Sequence, residues 1–250
     1  MRTAALPVVL GLAAPALAVA CAPARAPEIA VGTTARAAPL PTIPFETDDP
    51  SWGSPKAPAT IVYFSDFECP RCALVEIALD EVKDRFGEER VRIVFKHAPA
   101  PFHPHARMAA TVAQGVFELG GARAFWAFHE LAFTADDAPP PAPRDEAEGG
   151  DVDPIAGGVS LEWDTLAGWA ARAGVREDEL ARGLNEGRWA AKVERDEALA
   201  KKLGVVDPPV LFVGGWRAPE DLKPCDLVRV VAGTLGVAVP PPSSGNDECQ

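Results

Sequence analysis

Two cysteines separated by two residues, Cys69-Pro70-Arg71-Cys72, stand where a buried strand gives way to a helix, and this junction constrains the fold more than any other stretch. Upstream, Thr60-Ile61-Val62-Tyr63-Phe64-Ser65 is β-branched, aromatic and almost continuously apolar, the pattern of a central strand covered on both faces. Downstream, Val75, Leu79, Val82 and Phe86 recur at helical spacing, with Gly87 as a natural stop. Val91-Arg92-Ile93-Val94-Phe95-Lys96 then alternates as a second strand. Strand, helix and strand make a βαβ unit, hence a parallel pair, and a 250-residue chain can bury a sizeable core around it.

Cysteines three apart on a first helical turn lie close enough for a disulfide. The first caps the helix, where the positive end of the helix dipole and free N–H groups stabilise a thiolate. Pro70 suits the first helical position, where a missing N–H costs nothing. Arg71 is expected to add a cation beside the sulfur, with Pro70 and Arg71 together tuning the redox pair. A lowered thiolate pKa stabilises the reduced form and makes the disulfide a stronger oxidant. Two metal readings compete. Half a zinc site finds no second C-x-x-C or H-x3-H pair to complete it. A copper-type site would use Cys69, Cys72 and His97 or His103. The strand–turn–helix setting favours redox chemistry, so no metal is assigned. Nor is nucleic acid expected as a partner, because the net charge is −12 and phosphate affinity comes mainly from Lys and Arg.

The first residues bear on compartment. Arg2 precedes an apolar run, Ala4 to Ala20, ending in small residues, which reads as a signal peptide over 1–20. Leu17-Ala18-Val19-Ala20-Cys21 resembles a bacterial lipobox with Leu one place further from the cysteine than usual. Cys21 would then be an acylated N-terminus anchoring the chain to a membrane; the alternative is an ordinary signal peptide cut after Ala20. Either way the chain is exported, to the periplasm or cell envelope, where disulfides persist. Residues 21–48 are Ala/Pro-rich and aperiodic, a tether spanning roughly 30 Å root-mean-square if flexible.

Beyond the βαβ unit, helices are expected over His105–Leu119 and Ala122–Phe133, split at Gly120-Gly121. Residues 136–158 are acidic and proline-rich and read as a disordered loop. Ser160 is expected to N-cap a helix over Leu161–Ala173, with further helices over Glu177–Leu184 and Arg188–Leu203. Val210–Val213 and Trp216–Ala218 return to strand around Gly214-Gly215, and a last helix runs from about Pro224 to Leu235. Trp126, Trp163, Trp169 and Trp189 are expected in the core of the helical region, and His129 is expected to pack there. His97, His103 and His105 are expected in loop or capping roles.

Several short motifs, in order, carry a family resemblance. They are Asp49-Pro50-Ser51-Trp52-Gly53-Ser54-Pro55, Thr60 to Cys72, Phe102-His103-Pro104-His105-Ala106 with Ala109-Ala110, and Phe125-Trp126 with His129-Glu130-Leu131. Gly204-Val205 and Pro209-Val210-Leu211-Phe212-Val213 complete the series. Together they resemble exported DsbA-like thiol–disulfide oxidoreductases over nearly all of 49–235. The resemblance implies an α/β thioredoxin fold with an inserted all-helical subdomain. Its halves would be residues 49–103 and 205–237, with the insertion at 104–204 and a tail over 238–250.

The resemblance also implies roles: Cys69 as the attacking thiolate, Cys72 as the more buried resolving thiol, and Pro209 as the cis-proline facing them, the alternative being simple loop punctuation. Pro208 and Val210 would flank the substrate, although Pro208 replaces a residue with an N–H to offer an extended peptide. Asp207 and Glu68 are acids expected to oppose Arg71. Asp66 either assists proton transfer from Cys72 or is a plain loop carboxylate. Cys225 and Cys249 either pair as a structural disulfide or remain a buried cysteine and a free tail thiol. The expected activity is oxidation of cysteines in protein substrates, by a monomer without cofactor and with a membrane redox partner of the DsbB or VKOR type. A reductase or isomerase, or a non-enzymatic thiol-based metal chaperone, are the alternatives.

Overall fold

The computed structural model describes residues 43–134, 161–220 and 222–242. The segments expected as signal peptide and acidic loop, with Cys21, Ser160 and Cys249, lie outside them, as does nearly all of the tether. The described residues all belong to the unit Pro39–Gln250.

Five strands form one sheet: β1 (Ser51–Trp52), β2 (Ala59–Ser65), β3 (Val91–His97), β4 (Val210–Val213) and β5 (Trp216–Arg217). Their order is β1-β3-β2-β4-β5, with β2 parallel to β3 and every other pairing antiparallel. The helices are α1 (Pro70–Phe86), α2 (Ala106–Thr134), α3 (Trp163–Arg172), α4 (Glu177–Asn185), α5 (Ala190–Lys202) and α6 (Pro224–Leu235). This is the α/β layout expected from the sequence: a mixed sheet interrupted by a run of helices between β3 and β4.

Alternation along β2 decides what each face meets. Ile61 and Tyr63 join Ile93, Phe95, Leu211 and Val213 in a core with Leu79 and Val82 of α1 and Leu227 and Val231 of α6. Val62 and Phe64 point the other way, to Val94, Val210, Phe212 and Ala200 of α5. Ile43 is buried in that second core, so packed chain begins ahead of the boundary expected for the tether. The break foreseen at Gly120-Gly121 is a kink inside α2, where Gly121 alone leaves helical geometry at φ 74°. α3 starts at Trp163 with Glu162 as its N-cap, later than the expected Leu161. Trp169 and Trp189 are buried as expected, while Trp126 and Trp163 are only partly so. A Cβ at Gly115 or Gly183 would fall within 2.7 Å of the Trp189 ring, so these glycines let the insertion close around it.

His97 departs from its expected loop or capping role: it is the last residue of β3 and wholly buried. Its Nε2 lies 3.1 Å from Gln114 Oε1. Burial lowers its pKa from 6.5 to about 4, with Lys192 pushing the same way and Asp196, Gln114 and Asp49 opposing. Between those two values the unfolded chain binds a proton that the folded chain refuses. Stability linked to His97 is therefore full above about pH 6.5 and lost as pH falls towards 4, by about 3 kcal/mol in all. Urea melts of wild type and His97→Asn across that window should show the wild-type slope much flattened in the variant. Parallel slopes would mean His97 is not the responsible group.

Candidate active site

Cys69 is the N-cap of α1, with extended backbone at φ −89° and ψ 115°, and Pro70 occupies the first turn. The strand-to-helix junction therefore aims the Cys69 sulfur along the helix axis, beside N–H groups that have no intrahelical acceptor. Both cysteines are free thiols and buried, and Cys72 is wholly so. Hydrogen bonding from the Cys72 thiol is the largest influence on Cys69. Burial works against it, the N–H groups of Cys72 and Arg71 reinforce it, and the Asp66 charge opposes; the balance lowers Cys69 from 9.0 to about 6. Burial pushes Cys72 well above the ordinary thiol range, its donation to Cys69 adds to this, and the Ser65 hydroxyl and the Asp66 N–H work against it. One thiol of the pair is thus prepared to ionise and the other to keep its proton.

The loop before β4 meets this motif directly. The Pro208–Pro209 peptide bond is cis, and the Pro208 carbonyl accepts from Cys69 Sγ at 3.4 Å and from Arg71 Nη2 at 2.9 Å. Arg71 also pairs with Asp207, both side chains being about half exposed. Its charge is therefore matched by an acid on the facing loop, and the influences on Cys69 include its N–H rather than its guanidinium. Glu68 is likewise engaged elsewhere: it accepts from the His105 N–H at 2.8 Å and faces His105 Nδ1 at 3.2 Å. Val210, the first residue of β4, is buried beneath the loop. A groove of about 520 Å³ opens beside Pro208, lined by Pro99, Pro101, His103, Arg107 and Val206 among others.

Asp66 is buried, and its carboxylate accepts from the N–H groups of Glu68 and Ala100, each at 2.8 Å, and faces His103 Nδ1 at 2.7 Å. Those bonds tie the segment after β3 to the residue stretch leading into the cysteines. Cys72 meets the Asp66 N–H instead. Three groups around Cys72 carry no site role in the sequence: Tyr63, Ser65 and Glu76. Their signal was faint but present, since Tyr63 is the single tyrosine, set in an apolar strand, and Glu76 falls on the buried stripe of α1. Cys225 is disulfide-bonded; Cys249 lies outside the described residues. Among the described residues, no cluster of three or more His, Cys, Asp or Glu side chains is placed to hold a metal ion.

A thioredoxin family model matches residues 46–232, most of the chain. The chain belongs to the thioredoxin family. Among solved structures it resembles oxidised BdbD from Bacillus subtilis, at a TM-score of 0.61 and 21% identity over 79% of this chain and 98% of that one. The disulfide exchange protein α-DsbA2 from Wolbachia pipientis aligns at a TM-score of 0.57 and 17% identity, covering 76% and 88%. These likenesses identify the fold as DsbA-like, a thioredoxin fold with added helices. In this thioredoxin-family fold the paired thiols Cys69 and Cys72 stand at the head of α1, facing the cis-proline loop. Curated relatives include the Na(+)/H(+) antiporter NhaA 3 of Salinispora tropica, 30% identical over 80% of this chain and 27% of that protein. NhaA 1 of Salinispora arenicola is 30% identical over 70% and 23%. The chain thus spans about a quarter of the length of these relatives.

Proposed function

We propose that the protein is an exported oxidase that passes a Cys69–Cys72 disulfide to cysteines of protein substrates. The observation that carries this reading is the split between the two thiols. At a pKa of about 6, Cys69 is roughly nine-tenths thiolate at pH 7, against roughly 1% for a thiol at 9.0. Stabilising the thiolate stabilises the reduced protein, so its disulfide is readily given away.

In the forward direction a substrate thiolate attacks Cys69 Sγ of the disulfide. The Cys69–Cys72 bond breaks, a Cys69–substrate disulfide forms, and Cys72 leaves as a thiolate that takes a proton. A second substrate thiolate then displaces Cys69, which departs as its stabilised thiolate, and the substrate leaves oxidised. The cis-proline loop and the groove beside Pro208 are where an extended substrate would lie, flanked by Pro208 and Val210. Pro208 has no N–H to offer, and its carbonyl is already shared by Cys69 and Arg71. Substrate backbone pairing at this position therefore needs Arg71 to move, and side-chain contacts in the groove take a larger share of recognition.

The apolar run over 1–20 supports export, and the lipobox-like Leu17 to Cys21 supports a lipid anchor on Cys21. No helix among the described residues is long and apolar enough to cross a membrane. Reoxidation would fall to a membrane partner of the DsbB or VKOR type. Equilibration with glutathione redox buffers tests the direction of the reaction. An oxidase should show a potential more oxidising than about −220 mV, and a value near thioredoxin's roughly −270 mV would assign the protein to the reductases.

A further inference from the structure

Thiol–disulfide exchange needs a thiolate, and an ordinary cysteine with a pKa near 8.5 is only about 3% thiolate at pH 7. A substrate thiol therefore reaches the groove beside Pro208 mostly protonated. His103 lines that groove, and 17% of its side chain is exposed. Its Nδ1 lies 2.7 Å from Asp66, whose carboxylate has no exposed surface and already accepts the N–H groups of Glu68 and Ala100, each at 2.8 Å. His103 thus donates from Nδ1 and keeps its free lone pair on Nε2. That nitrogen makes no hydrogen bond among the described residues. With the Nδ1 edge against a buried acid, the opposite edge is the one open to the groove. Two bonds place this pair beside the cysteines: the Asp66 carbonyl accepts the Cys69 N–H at 3.2 Å, and the Pro208 carbonyl, in the groove wall, accepts from Cys69 Sγ at 3.4 Å. His105, two residues on, offers no such base, because its Nδ1 faces Glu68 and its Nε2 faces Glu162, each at 3.2 Å.

We propose that His103, oriented by Asp66, is the general base that ionises the substrate thiol entering the groove. The inference rests on the disulfide-transfer reading above. His103 Nε2 takes the proton of the substrate thiol, and the Asp66 carboxylate stabilises the imidazolium that forms. The substrate sulfur bonds to Cys69 Sγ, the Cys69–Cys72 bond breaks, and its electron pair goes to Cys72 Sγ, which takes a proton from water. His103 returns its own proton to water in the groove and then ionises the second substrate thiol. That thiolate bonds to the first substrate sulfur and displaces Cys69 as a thiolate. The substrate has lost two electrons and two protons. The protein has gained both electrons and one proton, on Cys72, and the net remaining proton is in water. Besides Asp66, the charged groups around the groove are Arg107 of α2 and Glu197 of α5, paired at 2.7 Å, and Lys201 of α5. Arg71 and Asp207 pair with each other beside Pro208, and Glu68 is held by His105.

The test is reduction of the oxidised full chain by a peptide carrying two cysteines, followed by acid quenching, alkylation and intact-mass measurement. At pH 7, His103→Gln should react about 10–30-fold more slowly than wild type, the ceiling being set by the thiolate fraction of an unaided cysteine. The gap should close as pH rises past about 8.5, where the thiol ionises without help. The same peptide with selenocysteine at both positions brings selenols already ionised at pH 7, and wild type and variant should then react at equal rates. In His103→Ala, added imidazole should restore much of the rate with the cysteine peptide and change nothing with the selenocysteine peptide. A deficit equal for both peptides, independent of pH and untouched by imidazole, would overturn the base role, as would the absence of any deficit. Failure of wild type to oxidise either peptide would instead overturn disulfide transfer itself, and the base with it.

Discussion

Cys69→Ser is expected to lower disulfide transfer to a reduced protein substrate by at least roughly a thousandfold, the scale of losing a nucleophile that is itself the group transferred. Cys72→Ser is expected to give a different defect. Its Cys69 retains a neighbouring hydroxyl able to donate where the Cys72 thiol donated, so Cys69 stays reactive but forms mixed disulfides that nothing in the protein resolves. Cys72→Ala removes that donor, the largest influence lowering Cys69, and should raise the Cys69 pKa above that of Cys72→Ser. Intact-mass measurement after mixing with an oxidised cysteine peptide should show the peptide retained on both Cys72 variants and absent from Cys69→Ser. Thiolate absorbance against pH would order the two Cys72 variants. Transfer surviving in Cys69→Ser would reassign the attack to another thiol, and equal titrations of the two Cys72 variants would remove hydrogen bonding as the cause of the lowered pKa.

These expectations trace to what could be read without coordinates and what could not. The C-x-x-C at a strand–helix junction was legible because the apolar run before it, Pro70 within it and the helical stripe after it all speak locally. The α/β order followed from the same patterns. What escaped were pairings between groups far apart in the chain, each made by ordinary surface-type residues. Arg71 reads as a cation beside sulfur until the loop before β4 brings Asp207 against it. Glu68 reads as a second opposing acid until His105 takes it. Lys96 reads as the polar end of a strand and His97 as a loop or capping residue, and both are buried only by the approach of α5, with Gln114 and Phe125 of α2 against the His97 ring. Short β1 was missed for a related reason: two residues carry no period, and their pairing with β3 exists only once β3 is placed.

That approach of α5 carries the largest stability effect expected of any single change. Lys192→Met should destabilise the fold by about 3–5 kcal/mol, the cost of stranding a buried charge. Lys192 and Lys96 share Asp49 and Asp196 in a closed set. Lys96 lies 2.7 Å from Asp49 and 3.3 Å from Asp196, and Lys192 lies 2.9 Å from Asp49 while also pairing with Asp196. All four are buried and their charges cancel. Burial alone would raise the Asp49 carboxyl, but Lys192 and Lys96 overcome it and hold the group below the ordinary range. Asp196 also accepts the His97 N–H at 3.0 Å, so the set fixes α5 against β3, just ahead of the loop that carries Pro208 and Pro209. Methionine keeps the apolar stem of Lys192 and removes its charge, leaving two carboxylates to one ammonium. If that imbalance is the cause, adding Asp49→Asn to Lys192→Met should recover part of the lost stability, although it removes a further side-chain contact. Urea melts of Lys192→Met, Asp49→Asn and the double variant decide the matter: a double variant as unstable as the sum of the two singles would mean that packing, and not charge balance, holds α5 in place.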